Sequence, residues 1–129
     1  MKVFLGGTCN NSTWRDELMP MLDAVNIKYF NPIVEDWTEE CYQEELCQRE
    51  ICDIVLYVIT PEMIGVYSIA EVVDDSNKQP EKVIFCVYDK NNEFDKGQMK
   101  SLNDVSKMIE SNYGTSLNFN DIAEYLETL

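Results

Sequence analysis

The stretch PEMIGVYSIAE (61–71) ends in a single carboxylate, Glu71, and directly follows the apolar run Ile54–Ile59. The run reads as a buried strand, and the Pro- and Gly-containing loop after it leads into a helix whose first turn carries Glu71. In open α/β sheets, ligands bind beyond the carboxyl ends of the strands, so this carboxylate is placed to meet a small molecule. The chain contains no His, which excludes Ser-His-Asp and Cys-His catalysis. Acid–base or nucleophilic work must then come from carboxylates, Tyr, Lys or Cys. A second carboxylate, Glu45, lies on an acidic segment expected to form a helix beside the same rim. Two carboxylates without His suit glycosidic chemistry: one attacks the anomeric carbon, and another group handles the leaving group's proton.

Each of these residues also has a purely structural reading. Ser68-Ile69-Ala70-Glu71 fits the capping box, in which Glu71 would start a helix and do nothing else. Glu45 and Arg49 are spaced as an ordinary i,i+4 surface pair. Trp37 is either a core plug or a wall on which a base stacks. Cys41, Cys47 and Cys52 do not have the spacing of a C-x2-C knuckle, and they read as small buried hydrophobes rather than metal ligands. Tyr57 or Tyr67 is near enough in sequence to hydrogen-bond Glu71 and tune its pKa.

The elements that must position these groups follow from periodicity. Val3-Phe4-Leu5 is a strand ending in the turn Gly6-Gly7-Thr8. A helix capped by Ser12 or Thr13 carries the apolar stripe Trp14, Leu18, Met21 and Leu22. Residues 27–30 form a second strand closed by Asn31-Pro32, and Thr38 caps a helix over 39–51. The run 54–59 is central because it is apolar throughout. A helix over 68–77, a strand over 82–87 and an amphipathic helix marked by Met99, Leu102, Val105, Met108 and Ile109 follow. Thr115-Ser116-Leu117 is a small edge strand, and Ile122, Ala123, Leu126 and Leu129 lie on a last helix behind an Asn cap. Alternating β and α with short links predicts an α/β fold: a doubly wound, flavodoxin-like, mostly parallel sheet of four to five strands with helices on both faces.

At 129 residues the chain forms one domain, 1–129, with 45% hydrophobic residues, enough for a core. Its net charge of −14 argues against nucleic acid and anionic membranes as partners. No apolar run approaches the ~20 residues that span a bilayer. A strand starting almost at Met1 leaves no room for a signal peptide, and five unpaired-looking Cys fit a reducing, cytoplasmic setting. Three strand exits share one rim: Gly6 to Arg15, Asn31 to Trp37, and Thr60 to Glu71. The first is rich in donors ahead of a helix N-terminus, which suits an anion or a sugar hydroxyl, but it is neither a P-loop nor G-x-G-x-x-G.

Val3 to Thr8, Asn31-Pro32, Trp37, Tyr42-Gln43-Glu44-Glu45, Asp53 to Tyr57 and Gly65 to Glu71, in this order and spacing, resemble the short branch of the nucleoside 2-deoxyribosyltransferase superfamily. The resemblance covers residues 3 to 90. It implies attack on C1′ of a deoxyribose by Glu71, through a covalent glycosyl-enzyme, with the sugar passed to another base or to water. It further implies that Glu45 positions the sugar, that Gly6, Gly7 and Thr8 lie beneath the ribose, and that Asn31, Trp37, Gly65 and Ser68 belong to the substrate site. A nucleoside or nucleotide substrate, a homo-oligomer, and no metal or other cofactor are its further implications. The family's acid just before the Gly is replaced here, the nearest carboxylate being Glu62. Hydrolysis of NAD or a related dinucleotide and a non-catalytic nucleotide-binding module are the alternative readings.

Overall fold

The run Ile54–Ile59 has all six residues buried, which only the centre of a sheet covered on both faces allows. In the computed structural model, which describes residues 1–129, it is β3 of a five-stranded sheet. The strands β1 (Lys2–Gly7), β2 (Lys28–Phe30), β3 (Ile54–Ile59), β4 (Val83–Val87) and β5 (Thr115–Ser116) are ordered β2-β1-β3-β4-β5. Every neighbouring pair is parallel. The helices are α1 (Trp14–Ala24), α2 (Glu39–Ile51), α3 (Tyr67–Lys78), α4 (Lys96–Ser111) and α5 (Ile122–Glu127).

Side chains alternate across the strands and so feed two separate cores. Val3, Leu5, Leu56 and Val58 pack with Trp14, Leu18 and Leu22 of α1 and with Ile122 and Leu126 of α5. Phe4, Val55, Tyr57 and Ile59 pack on the other face with Val72 of α3 and Leu102 and Ile109 of α4. The chain leaves β1 towards β2 but leaves β3 towards β4, so the strand order reverses between β1 and β3. Their carboxyl ends form the crevice where such folds bind ligands.

Here that crevice is stitched together. Gly7 has φ +117°, and a Cβ on it would fall 2.1 Å from the Val58 carbonyl oxygen. The Thr8 amide donates to the Val58 carbonyl at 2.9 Å, and the Thr60 amide donates to the Thr8 hydroxyl at 2.9 Å. Ser12 and Thr60 hydroxyls meet at 2.7 Å. The Thr8 carbonyl accepts from Trp14 Nε1 and from Arg15 Nη1, both at 2.8 Å, while Arg15 Nε donates to the Leu5 carbonyl at 3.1 Å. Arg15 is buried, and burial lowers its pKa. Much of the polar β1–α1 stretch is therefore engaged in joining α1 and β3 to the end of β1.

Several sequence-based expectations are corrected. Met21 is exposed because the buried side of α1 is Trp14, Arg15, Leu18 and Leu22; Arg15 shifts its centre away from Met21. Thr13 stands at the N-cap of α1 but makes no side-chain cap, its hydroxyl donating instead to Glu17 at 3.4 Å. Asn118 stands at the N-cap of a 3-10 turn, Phe119–Asp121, that runs into α5, but makes no side-chain cap, and Leu129 lies past the end of α5, exposed. Cys52 is buried, but Cys47 is exposed and Cys41 half-buried, because α2 buries only Gln48.

The capping box at Ser68 does not form. Val66 holds the N-cap of α3 without a side-chain bond, and the Ile69 amide donates to the Val66 carbonyl at 3.0 Å. Ser68 is thereby drawn inside the first turn, where it lacks the extended backbone a capping residue needs. Glu71 has no capping duty.

Gly7→Ala should destabilise the fold by ~3 kcal/mol or more, through the collision with β3 and an unfavourable φ. Gly65→Ala, where an added Cβ meets nothing within 4 Å, should change stability by under ~1 kcal/mol. Urea unfolding of both variants checks the contrast.

Candidate functional site

Helix α2 is set in place by Thr38, whose hydroxyl accepts from the Cys41 amide at 3.2 Å. Tyr42, Glu45, Leu46 and Arg49 then recur at i, i+3, i+4 and i+7, which places them on one face. On α3, Tyr67, Glu71 and Asp75 recur every four residues and likewise share a face. The two faces meet over Phe4 of β1 and enclose a cavity of about 240 Å³. Phe4, Trp37, Tyr42 and Tyr67 are its aromatic walls, and Glu45, Arg49 and Glu71 its charged groups. Trp37 and Tyr42 pack edge to face with ring centroids 5.6 Å apart. Trp37 is 59% exposed, so it is a cavity wall and not a core plug.

The charges are ordered from the core outwards. Asp75, buried beneath the cavity, accepts from Tyr57 OH at 2.7 Å and from Gln79 Nε2 at 3.1 Å. Arg49 donates to it through Nε and Nη2, both at 3.0 Å, in the bidentate geometry that suits a carboxylate. The remaining Nη1 lies 3.3 Å from a Glu71 carboxylate oxygen, and Asp74 is 3.8 Å from Nη2. Burial alone would lower the pKa of Arg49, but the hydrogen bonds to Asp75, with the charges of Tyr57, Asp75 and Glu71, raise it. Burial and the bond to Asp75 raise that of Tyr57.

Glu71 is pushed above the ordinary carboxylate range. Burial is the main cause; Arg49 opposes it, and the charges of Glu45 and Asp75 add to it. Its carboxylate makes a single ion-pair contact with Arg49 and is held more weakly than that of Asp75. A half-buried carboxylate of raised pKa, facing an aromatic cavity at the strand ends, is the pattern of a reactive group.

Of the residues singled out from the sequence, the fold brings together Glu71, Glu45 and Trp37. Gly6 lies on the Phe4 face of β1, where an added Cβ would come within 2.9 Å of the Tyr57 ring. Gly7 and Thr8 belong to the stitch between β1 and β3. The Asn31 side chain accepts from the Ile33 amide at 3.1 Å and shapes the turn after β2. Gly65 and Ser68 flank the start of α3 without lining the cavity. Glu45 forms no ion pair with Arg49, which is already committed to α3. Tyr57 donates to Asp75 and not to Glu71. Glu62 lines a separate polar cavity with Ser12, Glu17, Tyr88 and Lys90.

Sequence reasoning missed Arg49 and Asp75 as parts of the site. The α2 spacing marked the shared face of Tyr42, Glu45, Leu46 and Arg49, but nothing local marked Asp75 as the partner of Arg49, 26 residues away. A larger apolar hollow of about 920 Å³ between α3 and α4 includes Met63, Val66, Ile69 and Phe94. It lacks a pair of facing acid and base groups, and the cavity with Glu45, Arg49 and Glu71 lies on the opposite side of α3.

The profile of the family described as nucleoside 2-deoxyribosyltransferase like matches residues 1–90, a span that contains every residue lining the cavity. No curated protein matches the chain.

Arg49→Ala would strand the Asp75 charge beneath the cavity. Because Arg49 keeps partial access to water, the loss of stability should fall near the lower end of the ~3–5 kcal/mol typical for breaking a buried pair. Denaturant unfolding measures it, and Glu45→Ala, which breaks no ion pair, should cost far less.

Proposed function

The chain belongs to the nucleoside 2-deoxyribosyltransferase-like family, and on that premise we propose that it cleaves, or transfers at, the N-glycosidic bond of a nucleoside or nucleotide, with Glu71 as nucleophile. The observation that carries this reading is the Glu71 carboxylate: it faces an aromatic-walled cavity, has no capping duty, and shares that cavity with Glu45.

In the first step a Glu71 oxygen attacks C1′, and the C1′–N bond breaks with its electron pair going to the base. The product is a glycosyl ester of Glu71. Water or a second base then attacks C1′ and frees the carboxylate, so the configuration at C1′ is retained over two inversions. Glu45 faces the sugar and orients its hydroxyls, with Phe4 on the β1 side. Trp37 and Tyr42 offer the base a stacking surface. Arg49, held by Asp75, keeps Glu71 ionised and aimed while meeting its carboxylate through only one nitrogen.

The same reading takes the protein as a homo-oligomer. Ile64, Val66 and Tyr67 are exposed at 80%, 66% and 73%, beside both the cavity and the α3–α4 hollow, and such an apolar group favours burial against another copy. Sedimentation velocity should show a complex larger than a monomer, and Val66→Glu should shift it towards the monomer.

Glu71→Gln should lower base release from deoxynucleosides by roughly three orders of magnitude or more while the fold stays intact. A new nucleoside formed when a second free base is present would make the protein a transferase. Because the folded pKa of Glu71 is raised, its ionised form subtracts stability at neutral pH; the stabilising contribution exists at low pH and is lost as pH rises through the folded value. Glu71→Gln should therefore keep or raise Tm at pH 7. The acid limb of kcat/KM should lie above the ordinary carboxylate range, and activity should fall as pH drops through it. Unchanged turnover in Glu71→Gln would refute the assignment.

A further inference from the structure

We propose that the preferred substrate is a nucleoside without a 5′-phosphate whose base carries a positive charge, so that the base leaves neutral and needs no proton. The inference rests on the glycosidic reading of Glu71 and adds the substrate class.

The side-chain charges around the cavity offer a phosphate no free cation. Arg49 is the cation among its lining residues, and it faces Glu71, Asp74 and Asp75 at 3.3, 3.8 and 3.0 Å. The nearby cations are engaged elsewhere: Arg15 is buried against the carbonyls of Leu5 and Thr8, and Lys90 pairs with Glu17 in the separate polar cavity. A phosphate or pyrophosphate entering here would meet Glu45 and Glu71 without a free partner. An anion so placed loses hydration with no compensating ion pair.

The same features recognise a cation. Trp37, Tyr42 and Tyr67 line a cavity that also holds two carboxylates, and aromatic walls with acidic groups bind quaternary nitrogen. The acid otherwise nearest to the nucleophile's loop, Glu62, opens into a different cavity and is not placed to protonate a base stacked on Trp37. With a neutral purine or pyrimidine, the departing nitrogen develops negative charge that some acid must quench. With a quaternised base, the electron pair of the breaking C1′–N bond neutralises the ring's own positive charge. Glu71 gains the C1′–O bond in the same step. Water then attacks C1′, its proton passes to solvent or to a cavity carboxylate, and Glu71 returns as the carboxylate.

The test measures base release from matched substrates by the protein and by Glu71→Gln, with spontaneous loss taken from protein-free incubations. The pairs are 7-methylguanosine against guanosine, 7-methyl-2′-deoxyguanosine against 2′-deoxyguanosine, and nicotinamide riboside against nicotinamide mononucleotide and NAD. The cationic nucleoside should exceed its neutral partner in kcat/KM by roughly tenfold or more, consistent with cation–π recognition plus an activated leaving group. Nicotinamide riboside should exceed its 5′-phosphate by a similar factor, and rising salt should narrow the gap. Trp37→Ala should raise KM for the cationic substrates, and Trp37→Phe should restore most of it. Faster turnover of neutral nucleosides, or of 5′-phosphates, that still depends on Glu71 would overturn this inference and leave the glycosidase reading standing. Release that survives Glu71→Gln, or no release from any substrate, would remove both.

Discussion

The bidentate pair between Arg49 and Asp75 is the interaction on which the site depends. It joins α2 to α3 across the rim of the sheet, and Tyr57 ties the pair down onto β3. A buried charge is costly unless it is paired and hydrogen-bonded, and Asp75 meets that condition with Arg49, Tyr57 and Gln79. Once Asp75 fixes the guanidinium, the spare nitrogen fixes Glu71. The position of Glu71 is thus inherited from a group that never meets the cavity itself.

The second constraint is the closure of the crevice between β1 and β3. In a sheet of this strand order that gap is the expected ligand site. Here Gly7 lets the β1 backbone approach Val58, and Thr8, Ser12 and Thr60 lock the gap from above. The rim is divided into two hollows, one polar and beside α1, the other aromatic and between α2 and α3. This division sends Glu62 to one side and Glu71 to the other, although only nine positions separate them. It also explains why the donor-rich β1–α1 stretch is largely used up in binding its own fold.

On the proposed reading, stability and function oppose one another at Glu71. Its carboxylate is raised in pKa because burial and two neighbouring acids outweigh one guanidinium. A group held in this way subtracts from folding stability at neutral pH but is better suited to attack, since it is not quenched by a tight pair. Asp75 takes the strong contacts and Glu71 the weak one.

By itself the sequence determined the layer order, the central strand and the placement of Glu71 near a strand end. These follow from local periodicity: an apolar run of six, helices of amphipathic spacing, and short βα links that force parallel pairing. Only the tertiary structure decided which polar groups meet. Two S-x-x-E-like signals make the point. Asp95 and Gln98 form a complete capping box at α4, with bonds of 2.7 and 2.9 Å, whereas Ser68 and Glu71 form none, because the N-cap of α3 is Val66, two residues before Ser68. Likewise Arg49 lies one turn from Glu45 but pairs with Asp75 across the rim. Local spacing offers partners, but burial and charge balance choose among them, and both depend on what the rest of the chain brings within reach.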